Sequence, residues 1–319
     1  MKSVAGIDVS KQTLDVHAVG VWKQFTNDAS GISKVRAFLA RCKVQLVVME
    51  ATGSYHESLA VALHEAGFEV VVANPARTHY FAKSLGKRLK TDKVDAQVLA
   101  QFGVSQGEAL ERFTPPPLAV RQFRSLVRMR HDLITTCASA KGRLKGVNLE
   151  ALEVKLLTAQ VAFFKAQIQE LDAQIRELLA RTDSLGGAEK LLLTIPGVGP
   201  ITAWTLISEL GDLHRFESAK QVAAFAGVCP SFQHSGTSAT GTGRMSRVGN
   251  RTVRKLLYLA ALAAVKADGV FKDQFLHMTH RGKPKMIAVV AVMHKILRVA
   301  YGVVKSGCPF MKERALTPV

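Results

Sequence analysis

The chain has 319 residues, enough for about two domains, and 48% of them are apolar, which excludes a wholly disordered polypeptide. Its 43 Lys and Arg against 25 Asp and Glu leave a formal charge of +18, which points to nucleic acid first and an anionic membrane surface as the rival. No run of 18 apolar residues is present, the N-terminus has charges where a leader needs its apolar stretch, and the four cysteines (Cys42, Cys137, Cys229, Cys308) form no CxxC pair, so the expectation is a cytosolic protein with reduced, mostly buried thiols and no membrane partner.

Residues 3–9 and 13–19 alternate β-branched and polar positions across a short polar turn, which predicts a hairpin, with Phe25 on a third strand. Residues 31–42 have helical spacing, and 44–50 form a near-continuous apolar run of the kind a buried strand shows. A helix over 55–66 ending at Gly67, a strand over 68–73 closed by Asn74-Pro75, and a helix over 92–105 come next. A hairpin, a third strand and then alternating helix and strand is the order of a ribonuclease-H-like α/β domain. Pro115-Pro116-Pro117 ends it. Beyond, Leu157, Val161, Phe164, Ile168, Leu171, Ile175 and Leu178 keep a heptad spacing that predicts a short coiled coil, pairing within one chain or between two. Gly186-Gly187 breaks that pattern, and a mainly helical region succeeds it. The domains expected are 1–112, an α/β catalytic domain; 113–185, a helical connector with the coiled coil; and 186–319, a mainly α C-terminal domain.

Charge is unevenly placed. From Arg244 onward there are 15 Lys and Arg against three Asp and Glu. Two further basic stretches are Arg121, Arg124, Arg128, Arg130, Lys141, Arg143 and Lys145, and Arg77, Lys83, Lys87, Arg88, Lys90 and Lys93. One such run is usually a solvated helix face, but three in one chain favour contact with a polyphosphate.

Three groups of residues carry chemistry. Asp8 in GIDVSK and Glu50 in VVMEATGSY stand near the ends of strands that can be neighbours, and Asp92 and Asp95 share a helix face at a spacing of three. Clustered carboxylates raise one another's pKa unless cations bind, and their hard oxygens suit Mg²⁺, as a pair of ions about 4 Å apart on a phosphodiester. GIDVSK also resembles the first phosphate loop of actin-like ATPases, but glycine-rich counterparts later in the chain are lacking. The second group is Pro196-Gly197-Val198-Gly199 between two apolar helices, in IPGVGPITA, a helix-hairpin-helix pattern in which Gly197 and Gly199 expose backbone amides to a phosphate. The third is the small, polar stretch over 230–254, with Ser235, Ser238 and Ser246 as candidate nucleophiles, His234 beside the first, and Arg244, Arg247 and Arg251 to balance charge on a transferred phosphoryl group. Its spacing selects no single serine.

GIDVSKQTLDV, MEATGSY, NPARTHYFAKSLGKRLKTDKVDAQVLA, LLLTIPGVGPITA, AAFAGVCPSFQHSG, GRMSRVGNRTVRKLLY and AYGVVKSGCPF together resemble the DEDD transposases of bacterial insertion sequences, the bridge-RNA-guided serine recombinases, over nearly the whole chain. The resemblance implies a RuvC-like N-terminal domain, a coiled-coil connector and a C-terminal transposase domain. It implies that Asp8, Glu50, Asp92 and Asp95 are the metal set and Ser235 the nucleophile, meeting the acids of a partner subunit in a homo-oligomer, a dimer or tetramer. Gly243 stands where some relatives have a serine or arginine, so Ser246 remains the second candidate. It further implies a structured noncoding guide RNA, double-stranded target and donor DNA, and action at the nucleoid in a bacterial cytoplasm. Two competing readings are a Mg²⁺-dependent, structure-specific nuclease without a covalent intermediate, and a nucleic-acid-binding protein without activity.

Overall fold

The computed structural model describes residues 3–51, 53, 55–86, 91–231, 244–245 and 249–313. The chain divides into two compact units, Met1–Pro116 and Pro117–Val319.

The first unit is built on a five-stranded mixed sheet. Strands β1 (Val4–Val9), β2 (Thr13–Ala18) and β3 (Val21–Thr26) form an antiparallel meander. Helix α1 (Ala29–Arg41), capped by Asp28, leads to β4 (Leu46–Glu50), which pairs parallel with β1. Helix α2 (Glu57–Glu65) leads to β5 (Glu69–Ala73), parallel to β4, for a sheet order of β3-β2-β1-β4-β5. This mixed sheet with its helices is consistent with the ribonuclease-H-like expectation. Alternation along each strand splits the unit into two cores. Ala5, Ile7, Val9, Leu14, Val16, Val47, Met49 and Val70 pack with residues of α1 and α2 on one face. On the other, Leu46, Val48, Val71 and Ala73 pack with Leu99 and Phe102 of α4 (Asp92–Gln106).

Asn74-Pro75 does more than close a strand: a helix, α3 (Pro75–Ser84), begins there. The proline occupies the first helical turn, where its missing N–H costs nothing, and Asn74 Oδ1 caps the Ala76 amide at 2.8 Å.

Among its described residues, the second unit is helical apart from one short strand pair. Helices α5 (Leu118–Arg143) and α6 (Ala151–Arg181) form a hairpin. The predicted heptad seam is used here: Val161, Phe164 and Ile168 pack with Cys137 and Ala140 of α5, while Ile175 and Leu178 join a core containing Phe123 and Val127. The seam therefore pairs within one chain. Gly186-Gly187 does not break a helix; both glycines lie inside α7 (Asp183–Leu193), and the break falls at Thr182. Gly186 is needed because a Cβ there would stand 2.6 Å from the Leu179 carbonyl oxygen.

Helices α8 (Pro200–Leu210), α9 (Ala219–Ala226), α10 (Arg251–Ala264), α11 (Val270–His280) and α12 (Lys285–Ser306) complete the unit. Two short strands, β6 (Pro230–Ser231) and β7 (Arg244–Met245), lie between α9 and α10. Among the described residues α12 is the one helix long and apolar enough to cross a membrane, although His294-Lys295 interrupts its apolar run. Here it is a core helix, with Val292, Met293, Ile296, Leu297 and Ala300 buried against the other helices. All four cysteines are unpaired; only Cys137 is fully buried, against the expectation that most would be.

The basic run along α5 is only in part the open phosphate face expected of it: Lys141, Arg143 and Lys145 are exposed, but three arginines are engaged within the unit. Arg124 Nε donates to the Ser208 carbonyl at 2.8 Å, Arg128 pairs with Glu209, and Arg130 pairs with Asp172 while its guanidinium lies over Trp204. These arginines tie α5 to α6 and α8.

Candidate active site

Sheet register gathers the first acids. In the β1–β2 pair Asp8 stands directly opposite Asp15, and in the β1–β4 pair Ile7 stands opposite Met49, which leaves Asp8 and Glu50 at matching positions one step further on. Alternation puts Gly6, Asp8, Asp15, Val48 and Glu50 on the face that α4 covers. Gly6 sets how closely α4 can cross. A Cβ there would lie 2.1 Å from the Ala96 carbonyl oxygen and 2.3 Å from the Ala100 nitrogen, so only glycine admits this approach. One turn before Ala96, Thr91 caps α4 through the Val94 amide, and Asp92 and Asp95 fall in the first turn.

Electrostatics derive from this packing. Burial is the main reason the Asp8 carboxyl is pushed up to about 6, and the charges of Asp95, Asp92, Glu50 and Asp15 each add to it. The other three predicted acids thus all act on Asp8. Glu50 is held by Thr78 of α3, whose hydroxyl donates to Glu50 Oε2 at 2.9 Å. Asp15 is 1% exposed, and Gln24 Nε2 donates to its two oxygens at 3.2 and 3.3 Å.

Asp15 and Thr78 are residues that sequence reasoning missed. The signal for Asp15 was present: a hairpin with a three-residue turn puts Asp8 and Asp15 opposite each other. Thr78 carries no readable signal while Pro75 reads as a terminator. Among the described residues, no three His, Cys, Asp or Glu side chains converge on a ready-made metal site. The donor set nevertheless suits a hard divalent ion, because all four are carboxylates, and Asp8, the group whose charge burial and its neighbours disfavour, would gain most from a cation.

The other predicted residues lie in the second unit. Gly197 has φ +86 and is packed inward: a Cβ would meet the Ala260 carbonyl oxygen at 2.4 Å and the Ala264 nitrogen at 2.8 Å, both on α10. Gly199 precedes Pro200 at the start of α8, is exposed, and has open space where a Cβ would be. The two glycines therefore do different work, and only the second leaves backbone open to a ligand. Arg251 is exposed in the first turn of α10. Arg244 lies on β7; Ser235, Ser238, Ser246, His234 and Arg247 lie outside the described residues.

A family model described as Transposase IS116/IS110/IS902 family matches residues 189–276, and a second, the DEDD transposase model of IS110, matches residues 5–152. Among curated proteins, the pilin gene-inverting proteins of Moraxella bovis and Moraxella lacunata are each 30% identical over 322 residues, covering 98% of both chains. The transposase of insertion sequence element IS1111A from Coxiella burnetii is 25% identical, over 82% of this chain and 78% of its own.

Proposed function

Since the chain belongs to the IS110 family of transposases, and is thus a DNA transposase or recombinase, we propose that it exchanges DNA strands through a serine–DNA ester formed beside a metal-binding carboxylate face. The observation that carries this reading is the placement of Asp8 within the field of Asp95, Asp92 and Glu50. The first unit is then a RuvC-like domain, α5 and α6 the connector, and the region from α7 onward the transposase domain.

Asp8, Glu50, Asp92 and Asp95 would hold Mg²⁺. The ion, when bound, supplies charge stabilisation at the transferred phosphate and lowers the pKa of the attacking hydroxyl. Thr78 keeps Glu50 turned to the face, and Asp15 stays behind Asp8, its charge adding to the need for a cation. Ser235 Oγ attacks the scissile phosphorus, losing its proton; the P–O bond to the departing strand breaks and that strand's oxygen takes a proton. The resulting phosphoserine diester is then attacked by a hydroxyl of the incoming strand, which restores the serine. One diester replaces another at each step, so no nucleotide is consumed. Arg244, Arg247 and Arg251 balance the charge on phosphorus. Ser246 is the alternative nucleophile.

Inversion of a gene and movement of an insertion element, the activities in the names of the relatives, both need strands broken and rejoined. The site choice is delegated to a structured guide RNA that pairs with target and donor DNA, and the open Gly199 turn at α8 grips sugar-phosphate backbone. A homo-oligomer brings the serine of one subunit to the acids of another.

Labelled DNA carrying the element's own ends, incubated with protein and Mg²⁺ and then denatured, tests the reading. Label retained on wild-type protein and lost in Ser235→Ala supports it. Free nicked DNA with no protein-linked label favours the hydrolytic nuclease, and loss of the adduct in Ser246→Ala alone moves the nucleophile.

A further inference from the structure

Three features fasten the chain between the end of α9 and the start of α10. Strands β6 and β7 pair antiparallel, Pro230 opposite Met245 and Ser231 opposite Arg244. Gly249, at φ +110, lies against the end of α9, so close that a Cβ would stand 2.5 Å from the Gly227 nitrogen. The next residue, Asn250, uses both ends of its amide. Its Oδ1 caps α10, accepting from the Thr252 and Val253 amides at 2.9 and 3.1 Å. Its Nδ2 donates to Glu209 Oε2 of α8 at 2.6 Å.

Glu209 has a side chain only 8% exposed, and Arg128 of α5 closes on it with two parallel hydrogen bonds of 2.8 and 3.1 Å. A carboxylate taken out of water costs several kcal/mol unless fully paired, so three converging donors are needed simply to keep it there. Helix α10 does not need it for capping, because the oxygen of Asn250 already does that. Beside the clamp is a cavity of about 260 Å³, with His131, Asp132 and Thr205 in its wall.

We propose that Glu209 is a positioning residue for strand exchange. By fastening Asn250 to α8 and α5, it fixes where the chain enters α10 and so sets the placement of Arg251, the exposed first residue of that helix and one of the arginines assigned to balance charge on phosphorus. This rests on the serine reading above, and the experiment separates the two.

The assay is excision of the element from a plasmid carrying the gene with its own flanking DNA, alongside amide hydrogen exchange of the full-length protein at residues 228–231 and 249–253. Asn250→Asp and Asn250→Ser both keep a favoured N-cap but remove the donor to Glu209. Each is expected to lower excision at least about ten-fold while affinity for the flanking duplex stays within about three-fold, because a small misplacement costs rate more than binding. Amide exchange at 249–253 is expected to speed up. Glu209→Gln leaves one acceptor oxygen where Arg128 and Asn250 use two, and it is expected to lower excision and speed exchange at 249–253 in the same way, with affinity for the flanking duplex again kept within about three-fold. Wild-type excision in the Asn250 variants, or an affinity for the flanking duplex that falls as far as excision does, overturns the proposal. If Ser235→Ala leaves excision intact, the nucleophile assignment fails, and exchange protection at 249–253 still decides whether the clamp exists.

Discussion

The acidic face makes a prediction that runs against the usual effect of altering a buried site residue: Asp8→Asn should stabilise the metal-free protein. A carboxyl that ionises near pH 6 in the fold and near 3.8 in the unfolded chain binds more protons when folded than unfolded throughout that window. Stability is therefore full below 3.8, falls as pH rises, and carries its whole penalty above 6. At pH 7.5 the penalty is about 3 kcal/mol if the shift is taken at face value, and solvent screening of this partly exposed group reduces it to about 1–2 kcal/mol. Removing the charge with a near-isosteric amide recovers that amount, which raises the melting temperature of the first unit by roughly 3–8 °C. Thermal melts in EDTA at pH 7.5 and pH 4.5 measure it, and the gain should shrink at the lower pH. Added Mg²⁺ should raise the melting temperature of the wild type more than that of the variant, while strand transfer by the variant is lost. A variant melting at or below wild type at pH 7.5 in EDTA would refute the electrostatic account.

Other consequences are open to direct measurement. Gly6→Val forces α4 away from β1 and should cost the first unit more than about 3 kcal/mol, read from denaturant unfolding; a cost below about 1 kcal/mol would contradict the close crossing. Gly197→Val should lower the melting temperature sharply because its side chain meets α10, whereas Gly199→Ala should melt as wild type and weaken binding to duplex DNA; equal stability losses would show that the two glycines do the same work. Replacing Phe164, Ile168 and Leu171 with Asp should unfold the α5–α6 hairpin, seen as lost helical circular dichroism rather than only as a change in solution mass. Thr78→Val removes a hydroxyl from Glu50 and should reduce strand transfer several-fold with little change in DNA affinity; unchanged turnover would leave Thr78 a plain structural residue.

Much of the first unit was legible because local patterns there agree with the tertiary ones. Strand alternation in SVAGIDV and TLDVHA, the apolar run ending at Glu50 and the i, i+3 pair of Asp92 and Asp95 each carry their own address. What failed to read were features whose meaning is set by another part of the chain. Pro75 reads as a stop unless Asn74 is seen to cap the helix after it. Gly186 reads as a breaker unless Leu179 is known to press against it. Arg124, Arg128 and Arg130 read as a phosphate face because Ser208, Glu209 and Asp172 are up to 84 residues away. The heptad seam named the right residues but could not name their partner, since an apolar stripe is equally satisfied by its own chain or a second one.

The crossing of α4 over Gly6 also bears on how the protein comes off the ribosome. Residue 6 emerges before residues 96–100 and must wait for them before that helix can dock. Contacts so far apart in sequence form late, since the intervening chain gives up its freedom before the contact rewards it. The carboxylates face the same delay and repel one another as they meet. A nascent or prematurely terminated chain lacking α4 therefore holds only Asp8 and Glu50 of the proposed set. On the proposed reading, the set is complete only once α4 has been synthesised and has docked.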